Sequence, residues 1–281
     1  MVGGTGSRLW PLTAATNKHL LPVHDKPMIY YSLTTLMFTG VRDIAIISSP
    51  GHIEDFKRLL GDGTQWGLNF SYVLQTHAGG IAECFSLVPE LFKSESVCLV
   101  LGDNILYGMG LGRSINFNFN NLGSQVFAYP VSNPSDFGTI QLDKVGKPIS
   151  IEEKPIVPKS NLAIPGIYFF DNSVWRKSNV LKPSPRNELE ITDLLNLYLI
   201  DNNLKVVQLE RGTVWLDAGT SDNIISASEF VRVVESRQGF KLGCPEEVAL
   251  RLQYISKPHF DEIVSRMPES DYKKYLRQIK F

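Results

Sequence analysis

Short apolar runs alternate with amphipathic segments over the N-terminal third of the chain. Residues 43–48 and 96–101 are continuous apolar runs, which are typical of buried strands, and another strand is predicted near residues 70–74. Helices are predicted at residues 53–60 and 80–91, and an earlier one after Pro27, where Ile29, Leu33 and Met37 recur at helical spacing. This order predicts an α/β fold with a right-handed, doubly wound, mostly parallel sheet.

The middle and the end of the chain have different patterns. Short strands are predicted at residues 125–130, 138–143, 148–153 and 164–170. Residues 221–238 follow as a long helix with Ile224, Ala227 and Val231 on one face, and shorter helices are predicted at 245–254, 260–267 and 272–279. We therefore expect a β-rich middle and a helical C-terminal cap, which covers the fold or forms an oligomer surface.

The chain begins with a glycine-rich segment, Gly3-Gly4-Thr5-Gly6, which is followed by Arg8 and then by Lys18. Glycines let backbone N–H groups turn toward an anion, and an arginine fork beside a compact lysine suits phosphate oxygens. The spacing matches neither a P-loop nor a dinucleotide-binding fingerprint. A mobile tail is the alternative, but the spaced cations favour a polyphosphate cradle. Only Met1 and Val2 precede the glycines, so we expect the strand that carries the cradle to be truncated.

Acidic residues stand where two predicted strands end. Asp103 follows the apolar run that ends at Leu101, and Asp217 follows the run 214–216. Ligands of doubly wound sheets bind at the carboxyl ends of strands, and Mg²⁺ takes one or two carboxylates while it keeps its waters. A turn or capping role is the alternative for an isolated Gly-Asp pair. Because the pattern occurs twice, Asp103 and Asp217 are candidate Mg²⁺ ligands.

Two other charged segments have open interpretations. Residues 152–154, Glu-Glu-Lys, end a predicted strand and are either a solvated charge cluster or a site for a ligand with hydroxyls and a phosphate. Residues 186–193 open a predicted helix, and there we expect Glu190 and Asp193 to complement the helix dipole.

Composition excludes several classes of protein. The formal net charge of the 281 residues is −1, so no basic surface indicates nucleic acid. Cys84, Cys98 and Cys244 lack the number and spacing of a disulfide framework or zinc site, and we expect buried free thiols. No apolar run is long enough to span a bilayer, and no basic-then-apolar leader is present. We expect a cytoplasmic protein with no membrane partner.

Several motifs together resemble the glucose-1-phosphate thymidylyltransferases, or dTDP-glucose pyrophosphorylases, of the sugar nucleotidyltransferase family. They are Gly3-Gly4-Thr5-Gly6-Ser7-Arg8-Leu9, Lys18-His19-Leu20-Leu21-Pro22, Asp25-Lys26-Pro27-Met28, Gly61-Asp62-Gly63-Thr64-Gln65-Trp66-Gly67, Leu101-Gly102-Asp103-Asn104, Glu152-Glu153-Lys154-Pro155, Glu188-Leu189-Glu190-Ile191-Thr192-Asp193, Trp215-Leu216-Asp217 and Arg237-Gln238-Gly239. The resemblance implies a Rossmann-like, GT-A-like catalytic domain over residues 1–240, with a nucleotide part (1–123) and a sugar-phosphate part (124–220), and a helical C-terminal extension over 241–281.

The same resemblance implies an activity. A thymidylyl group passes from dTTP to α-D-glucose 1-phosphate, giving dTDP-glucose and pyrophosphate, the first step toward dTDP-L-rhamnose and related deoxysugars. Mg²⁺ is the implied cofactor, and family members are commonly homotetramers. Another NTP such as UTP, another hexose 1-phosphate, or a catalytically weak relative that binds a nucleotide sugar stays an alternative.

Roles for individual residues also come from the resemblance. The implied catalytic residues are Arg8, Lys18, Asp103 and Lys154, and the implied metal ligands are Asp103 and Asp217. The implied nucleotide-binding residues are Gly3, Gly4, Thr5, Gly6, Ser7, Gln75 and Gly80. The implied sugar-phosphate-binding residues are Gly138, Glu153, Lys154, Tyr168 and Arg186.

This chain departs from the family pattern at four positions near the implied substrates. Glu83 stands for a glutamine, Phe137 for a tyrosine, Pro165 for a threonine and Asn187 for a glycine. Because buried polar groups that pair with a substrate dominate selectivity, these changes bear on the substrate pair. A carboxylate at Glu83 is expected to repel the nucleotide if it points inward.

Overall fold

The computed structural model describes residues 1–3, 6–93, 95–108 and 122–280. The strands are β1 Pro22–Val23, β2 Lys26–Pro27, β3 Asp43–Ser48, β4 Asn69–Leu74, β5 Val97–Val100, β6 Asn104–Tyr107, β7 Ser124–Pro130, β8 Gly138–Leu142, β9 Pro148–Glu153, β10 Leu162–Ala163, β11 Ile167–Phe170, β12 Leu204–Gln208 and β13 Val214–Asp217. The helices are α1 Ile29–Met37, α2 Ile53–Leu60, α3 Cys84–Leu87, α4 Val174–Ser178, α5 Ile191–Ile200, α6 Ser221–Gln238, α7 Pro245–Arg251, α8 Lys257–Arg266 and α9 Asp271–Gln278.

The largest sheet has the strand order β5-β11-β7-β10-β8-β9, and β12 pairs with β7. Two of the described strand pairs, β3–β4 and β7–β12, are parallel. The other described pairs are antiparallel, including β6–β13 and β8–β9. The α/β class is as predicted, but the described pairing is more antiparallel than the pattern of apolar runs indicates.

Met1 and Val2 lie between β3 and β5. The amide of Val2 donates to the carbonyl of Ile47 (2.9 Å), and the amino group of Met1 donates to the carbonyl of Val100 (2.9 Å). Beside them, an apolar cavity of about 120 Å³ lies between these two strands. The first two residues therefore connect the β3–β4 pair to the edge of the large sheet.

Several hydrophobic cores hold the layers together. One lies around β7, β11 and α5 and includes Val126, Phe170 and Tyr198. A second packs α1, β3 and α2 against the C-terminal helices α7–α9, with Ile46 and Phe260 among its buried residues. The C-terminal helices thus bury their apolar side chains in a core that they share with the N-terminal part of the chain. The domain boundary near residue 240 stays a prediction.

Most predicted elements occur, with some changes in their bounds. Helix α6 has the predicted bounds, and α7–α9 lie within a few residues of the predicted tail helices. The predicted helix at 80–91 is wrong in length: α3 covers only Cys84–Leu87, because Gly80 has a left-handed φ of 93° and Pro89 interrupts the end. The three cysteines are free, as predicted. None of the helices in the described ranges is long and apolar enough to cross a membrane.

Candidate active site

A cleft of about 290 Å³ opens where β5, β6, β8, β9, β11 and β13 meet. The predicted site residues that line it are Gly3, Arg8, Lys18, Gln75, Gly80, Asp103, Gly138, Glu153, Lys154, Tyr168 and Asp217. Gly6, Ser7 and Arg186 are not among the described lining residues, and Gly4 and Thr5 lie outside the described residues. The structure therefore brings the predicted acids, cations and polar side chains to one cleft.

The two predicted metal ligands become neighbours through strand pairing. Asp103 lies in the turn between β5 and β6, and Asp217 ends β13. In the antiparallel β6–β13 pair, Asp217 is opposite Asn104, and the amide of Ala218 donates to the carbonyl of Asp103 at 3.0 Å. Two acids that are distant in the sequence thus face the same space.

The two carboxyl groups have opposite pKa shifts. Burial acts to raise the pKa of Asp103, but Lys18, His19 and hydrogen bonds from Lys18 and Asn104 hold that pKa below its ordinary value. Burial and the negative charge of Asp103 raise the pKa of Asp217 to about 6, against the opposing effect of nearby cations. The ionised form of Asp217 is therefore under-stabilised in the protein as it stands.

Three cations face these acids. Arg8 lies in a 3₁₀ turn, Ser7–Leu9, and Lys18 begins the turn Lys18–Leu20, whose start Asn17 caps by accepting from the amide of His19 (3.0 Å). Lys154 follows β9 with a left-handed φ of 41°. All three cations act to lower the pKa of Asp217, so their charges lie near it.

Only one of the three cations is paired. Lys18 forms an ion pair with Asp103. Among the described residues, neither Arg8 nor Lys154 forms an ion pair with a protein carboxylate. The cleft therefore presents two cations that are available to an anionic ligand.

Asn104 organises this part of the cleft, and the sequence analysis quoted it without giving it a role. Its amide nitrogen donates to Oδ1 of Asp103 (2.9 Å), while its oxygen accepts from the amide of Gly166 (2.9 Å) and from Nε1 of Trp215 (2.6 Å). In the sequence, the position of Asn104 next to Asp103 was the only signal that could have indicated this role. Asn104 thus ties Asp103 to the wall of the cleft.

Among the residues predicted to bind the sugar phosphate, Glu153 is held by two partners. Thr192 Oγ1 donates to its Oε2 and Arg186 Nη2 donates to its Oε1, both at 3.2 Å. Burial and the repulsion of Glu190 raise the pKa of Glu153 above its ordinary value. A carboxylate held in this way is suited to accept hydrogen bonds from hydroxyl groups.

Glu190 lies at the N-cap of α5, which is the place expected for an acid that complements the helix dipole. Its carboxylate accepts from Arg186 (2.8 Å to Nη2) and from Ser184 Oγ (2.6 Å), and it makes no capping bond to α5. Asp193 does lie in the first turn of α5, as expected. Arg186 is therefore engaged by protein carboxylates at the border of the cleft.

Gln75, which is predicted to bind the nucleotide, follows β4 and is buried. Its Nε2 donates to Oε2 of Glu83 (2.7 Å) and to the carbonyl of Gly80 (3.2 Å). Glu83 is also buried, and its Oε1 lies 2.9 Å from Nε2 of His77. The carboxylate of Glu83 is thus bound to protein groups, which is the reason that it does not act as the free inward charge considered above.

Comparisons with known proteins agree with this fold. The model of the nucleotidyl transferase family matches residues 1–233. The glucose-1-phosphate thymidylyltransferase of Mycolicibacterium smegmatis is 46% identical over 279 residues, which are 99% of this chain and 97% of that protein. The enzyme of the same name from Neisseria meningitidis is 43% identical over 280 residues, again 99% and 97% of the two chains.

Solved structures give the same result. A Bacillus anthracis chain assigned as a glucose-1-phosphate thymidylyltransferase, crystallised with sucrose, superposes with a TM-score of 0.74 at 39% identity and covers 82% of this chain and 93% of that one. A UDP-glucose pyrophosphorylase complexed with UDP-glucose superposes with a TM-score of 0.71 at 23% identity, covering 83% and 97%, which shows the shared fold. The chain belongs to the nucleotidyl transferase family, in the branch of the glucose-1-phosphate thymidylyltransferases, so the family and enzyme class predicted from the motifs are confirmed.

Proposed function

We propose that this protein transfers a thymidylyl group from dTTP to α-D-glucose 1-phosphate, with Mg²⁺ as cofactor. The observation that carries the proposal is the convergence of Asp103 and Asp217 with Arg8, Lys18 and Lys154 in one cleft. Two neighbouring carboxylates and an excess of cations suit a nucleoside triphosphate with its metal. The names of the relatives supply the nucleotide and the sugar.

The reaction is a phosphoryl-type displacement. A phosphate oxygen of glucose 1-phosphate attacks the α-phosphorus of dTTP, the bond from that phosphorus to the bridging α,β oxygen breaks, and pyrophosphate leaves with the bond electrons. Catalysis of such a step consists of positioning and charge stabilisation. We assign Arg8 to the departing pyrophosphate, Lys18 to the reacting phosphates and Lys154 to the phosphate of the sugar.

The residues present suit a divalent cation. Asp103 and Asp217 supply hard carboxylate oxygens from adjacent strand ends, and burial together with the charge of Asp103 raises the pKa of Asp217, so a cation bound there would stabilise its ionised form. When bound there, Mg²⁺ would supply Lewis-acid charge neutralisation at the nucleotide phosphates. Asn104 and Lys18 orient the Asp103 carboxylate for that role.

The hexose is assigned to the opposite wall. Glu153, Lys154 and Tyr168 line the cleft, and Gly138 is opposite Glu153 in the β8–β9 pair. Carboxylate and phenol oxygens can accept from and donate to sugar hydroxyls. Phe137 packs against Trp215 with ring centroids 5.0 Å apart, so the position where the family pattern has a tyrosine contributes packing in this chain. A homotetramer stays a prediction of the family resemblance, and a cytoplasmic location stays a prediction from composition.

The test is pyrophosphate release with Mg²⁺. We expect release from dTTP with glucose 1-phosphate, a loss with EDTA, and a fall of about 10³-fold in Asp217→Asn. The matched control is Asp201→Asn, a surface acid outside the cleft, which should retain full activity. UTP, CTP, ATP and GTP run in parallel, because greater release with UTP would move the assignment to the uridylyl alternative. No release with any NTP and several hexose 1-phosphates would favour a binding role.

A further inference from the structure

We propose that Glu83 is a positioning residue that fixes the side-chain amide of Gln75, so that the nucleobase meets only the carbonyl oxygen Oε1 of that glutamine. The site would then select bases whose Watson–Crick edge carries an imide N–H, namely thymine and uracil, over cytosine. This inference rests on the proposed function and adds to it the reason for the base preference.

The orientation of Gln75 follows from its two neighbours. Nε2 carries two N–H donors, and it lies 2.7 Å from Oε2 of Glu83 and 3.2 Å from the carbonyl oxygen of Gly80. Both neighbours are acceptors. A flipped amide would place Oε1 against two acceptor oxygens and leave them without a donor, so one of the two amide orientations is excluded.

The carbonyl end of the Gln75 amide lies beside Gly3 at the cleft. Gln75 and Gly3 both line it, and a Cβ placed on Gly3 would lie 2.5 Å from Oε1 of Gln75, which explains why a glycine is needed at this close approach. Within the ranges that the structure describes, Oε1 accepts no hydrogen bond. It is therefore an acceptor available to a donor on a ligand.

The carboxylate of Glu83 is itself held in place. The residue is 7% exposed, and its two oxygens are divided between Nε2 of Gln75 and Nε2 of His77. A carboxylate only accepts, whereas the glutamine that the family pattern has at this position both accepts and donates. The glutamic acid of this chain thus specifies the amide orientation more strictly than the family residue does.

The base class follows from this orientation. N3 of thymine and of uracil carries a hydrogen that can donate to Oε1, whereas N3 of cytosine is an acceptor and would be repelled. Thymine and uracil are equivalent at this atom, so Gln75 does not distinguish them. Glu83 acts through Gln75 and does not need to touch the nucleotide.

The first experiment compares kcat/KM for dTTP and dCTP in the wild type, Glu83→Gln and the control His77→Gln. We expect the ratio of kcat/KM for dTTP to kcat/KM for dCTP to fall about tenfold in Glu83→Gln, because a neutral amide at position 83 permits both orientations of Gln75. Most of this change should come from the two KM values. His77→Gln removes only the exposed partner and should keep the wild-type ratio. A parallel loss for both nucleotides in Glu83→Gln would mean that Glu83 is only structural and would overturn the proposal.

A binding measurement on the wild type stays informative even if Glu83→Gln does not fold. Calorimetric titrations with dTTP, dCTP and N3-methyl-dTTP should give binding about tenfold weaker or more for the two analogues that lack the N3 hydrogen. Equal affinities for the three would overturn the inference. If dTTP binds selectively but yields no pyrophosphate with any hexose 1-phosphate, the proposed function fails while the inference about Glu83 stands.

Discussion

Two clusters of charged side chains in this molecule have similar compositions and opposite degrees of pairing. The cleft cluster consists of Arg8, Lys18, Asp103, Lys154 and Asp217. The closed cluster consists of Asp25, Lys26, Glu235 and Lys241, between the β1–β2 hairpin, α6 and the segment after α6. The comparison separates charges that hold the fold from charges that are available to a ligand.

In the closed cluster every charge has partners of opposite sign. Lys26 contacts Asp25 and lies 2.9 Å from Oε1 of Glu235, and Lys241 contacts Asp25 and lies 2.9 Å from Oε2 of Glu235. A ring nitrogen of His24 also lies within 4.8 Å of carboxylate oxygens of Asp25 and Glu235, and such groups of three side chains occur in some metal sites. The lysines already engage these carboxylates, so the arrangement is a balanced ion-pair network.

The cleft cluster is not balanced. Three cations face two acids, and one acid has a pKa raised to about 6. Within the described part of the chain, Lys18 and Asp103 are the only members of this cluster that form an ion pair. Leaving charges incompletely paired costs stability, and such arrangements concentrate at functional sites. The comparison teaches that the degree of pairing, and not the presence of acids and lysines, marks the site.

The largest expected effect comes from a substitution that breaks the closed cluster. Lys26 is 3% exposed, and Lys26→Met should lower the free energy of unfolding by about 3–5 kcal/mol, because two carboxylates lose a buried partner. Urea unfolding measures it. The control is Lys57→Met, which removes an exposed pair with Glu54 and should change stability by less than about 0.5 kcal/mol. Equal changes in the free energy of unfolding of the two variants would contradict the conclusion that the buried ion pairs stabilise the fold more than the exposed pair does.

The next effect concerns the cleft and leaves stability unchanged. Arg8→Ala should lower kcat about 10²–10³-fold, because a donor to the departing pyrophosphate is lost. The free energy of unfolding in urea should stay within about 0.5 kcal/mol of the wild-type value, because Arg8 is exposed and has no ion-pair partner among the described residues. Arg58→Ala, on the surface of α2, is the control with normal kcat. A large loss of stability in Arg8→Ala would show a structural role instead.

A third variant should gain stability while it loses activity. The pKa of Asp217 is raised in the folded state, so ionisation of its carboxyl destabilises the folded protein, with the full cost present above about pH 6. The cost disappears below about pH 4, because the carboxyl is then protonated in both the folded and the unfolded state. Asp217→Asn should therefore raise the unfolding free energy by about 1–3 kcal/mol at about pH 8 in EDTA.

Asp103→Asn provides the opposite case within the same cleft. The pKa of Asp103 is lowered in the folded state, so its ionised form contributes stability and its loss should destabilise the protein at about pH 8. The prediction fails if both asparagine variants shift the urea midpoint in the same direction.

The smallest effect is a pH dependence of the closed cluster. Burial acts to raise the pKa of Asp25, but hydrogen bonds and charges from Lys241 and Lys26 hold it below its ordinary value. Its contribution is therefore present at neutral pH and is lost as the pH falls through the folded-state pKa. Asp25→Asn should lose about 0.5–1 kcal/mol at about pH 7 and nothing once both states are protonated. A loss that persists in acid would contradict this assignment.

The sequence predicted the site better than it predicted the pairing of strands. Asp103 and Asp217 were identified because a buried strand is a continuous apolar run, so the end of the run locates the end of the strand and the acid beside it. The antiparallel β6–β13 pair that makes these acids neighbours depends on register between distant segments, which no local pattern encodes. The hydrogen bonds of Asn104 and Glu83 were not predicted for the same reason, since only the folded chain brings their partners near.

The role of Arg186 shows another limit of the sequence. The motif placed it with the sugar phosphate, but in the structure it contacts Glu153, Glu188 and Glu190 at 3.2, 3.8 and 2.8 Å. A single arginine has several possible partners in a segment that is rich in acids, and the choice depends on where the backbone turns at Asn187, whose φ is 59°. Its predicted role toward the substrate stays untested.

The packing of the C-terminal helices has a consequence for synthesis on the ribosome. Gly67 has a left-handed φ of 67°, and a side chain there would clash with the backbone of Tyr254, so the helical end of the chain approaches the β4 loop closely. Phe260 and Leu276 lie in the same core as Ile44 and Phe56. The apolar face of α1, β3 and α2 is therefore covered only after the segment that contains α7–α9 has been synthesised, and the nascent chain must remain unaggregated until those helices emerge from the exit tunnel.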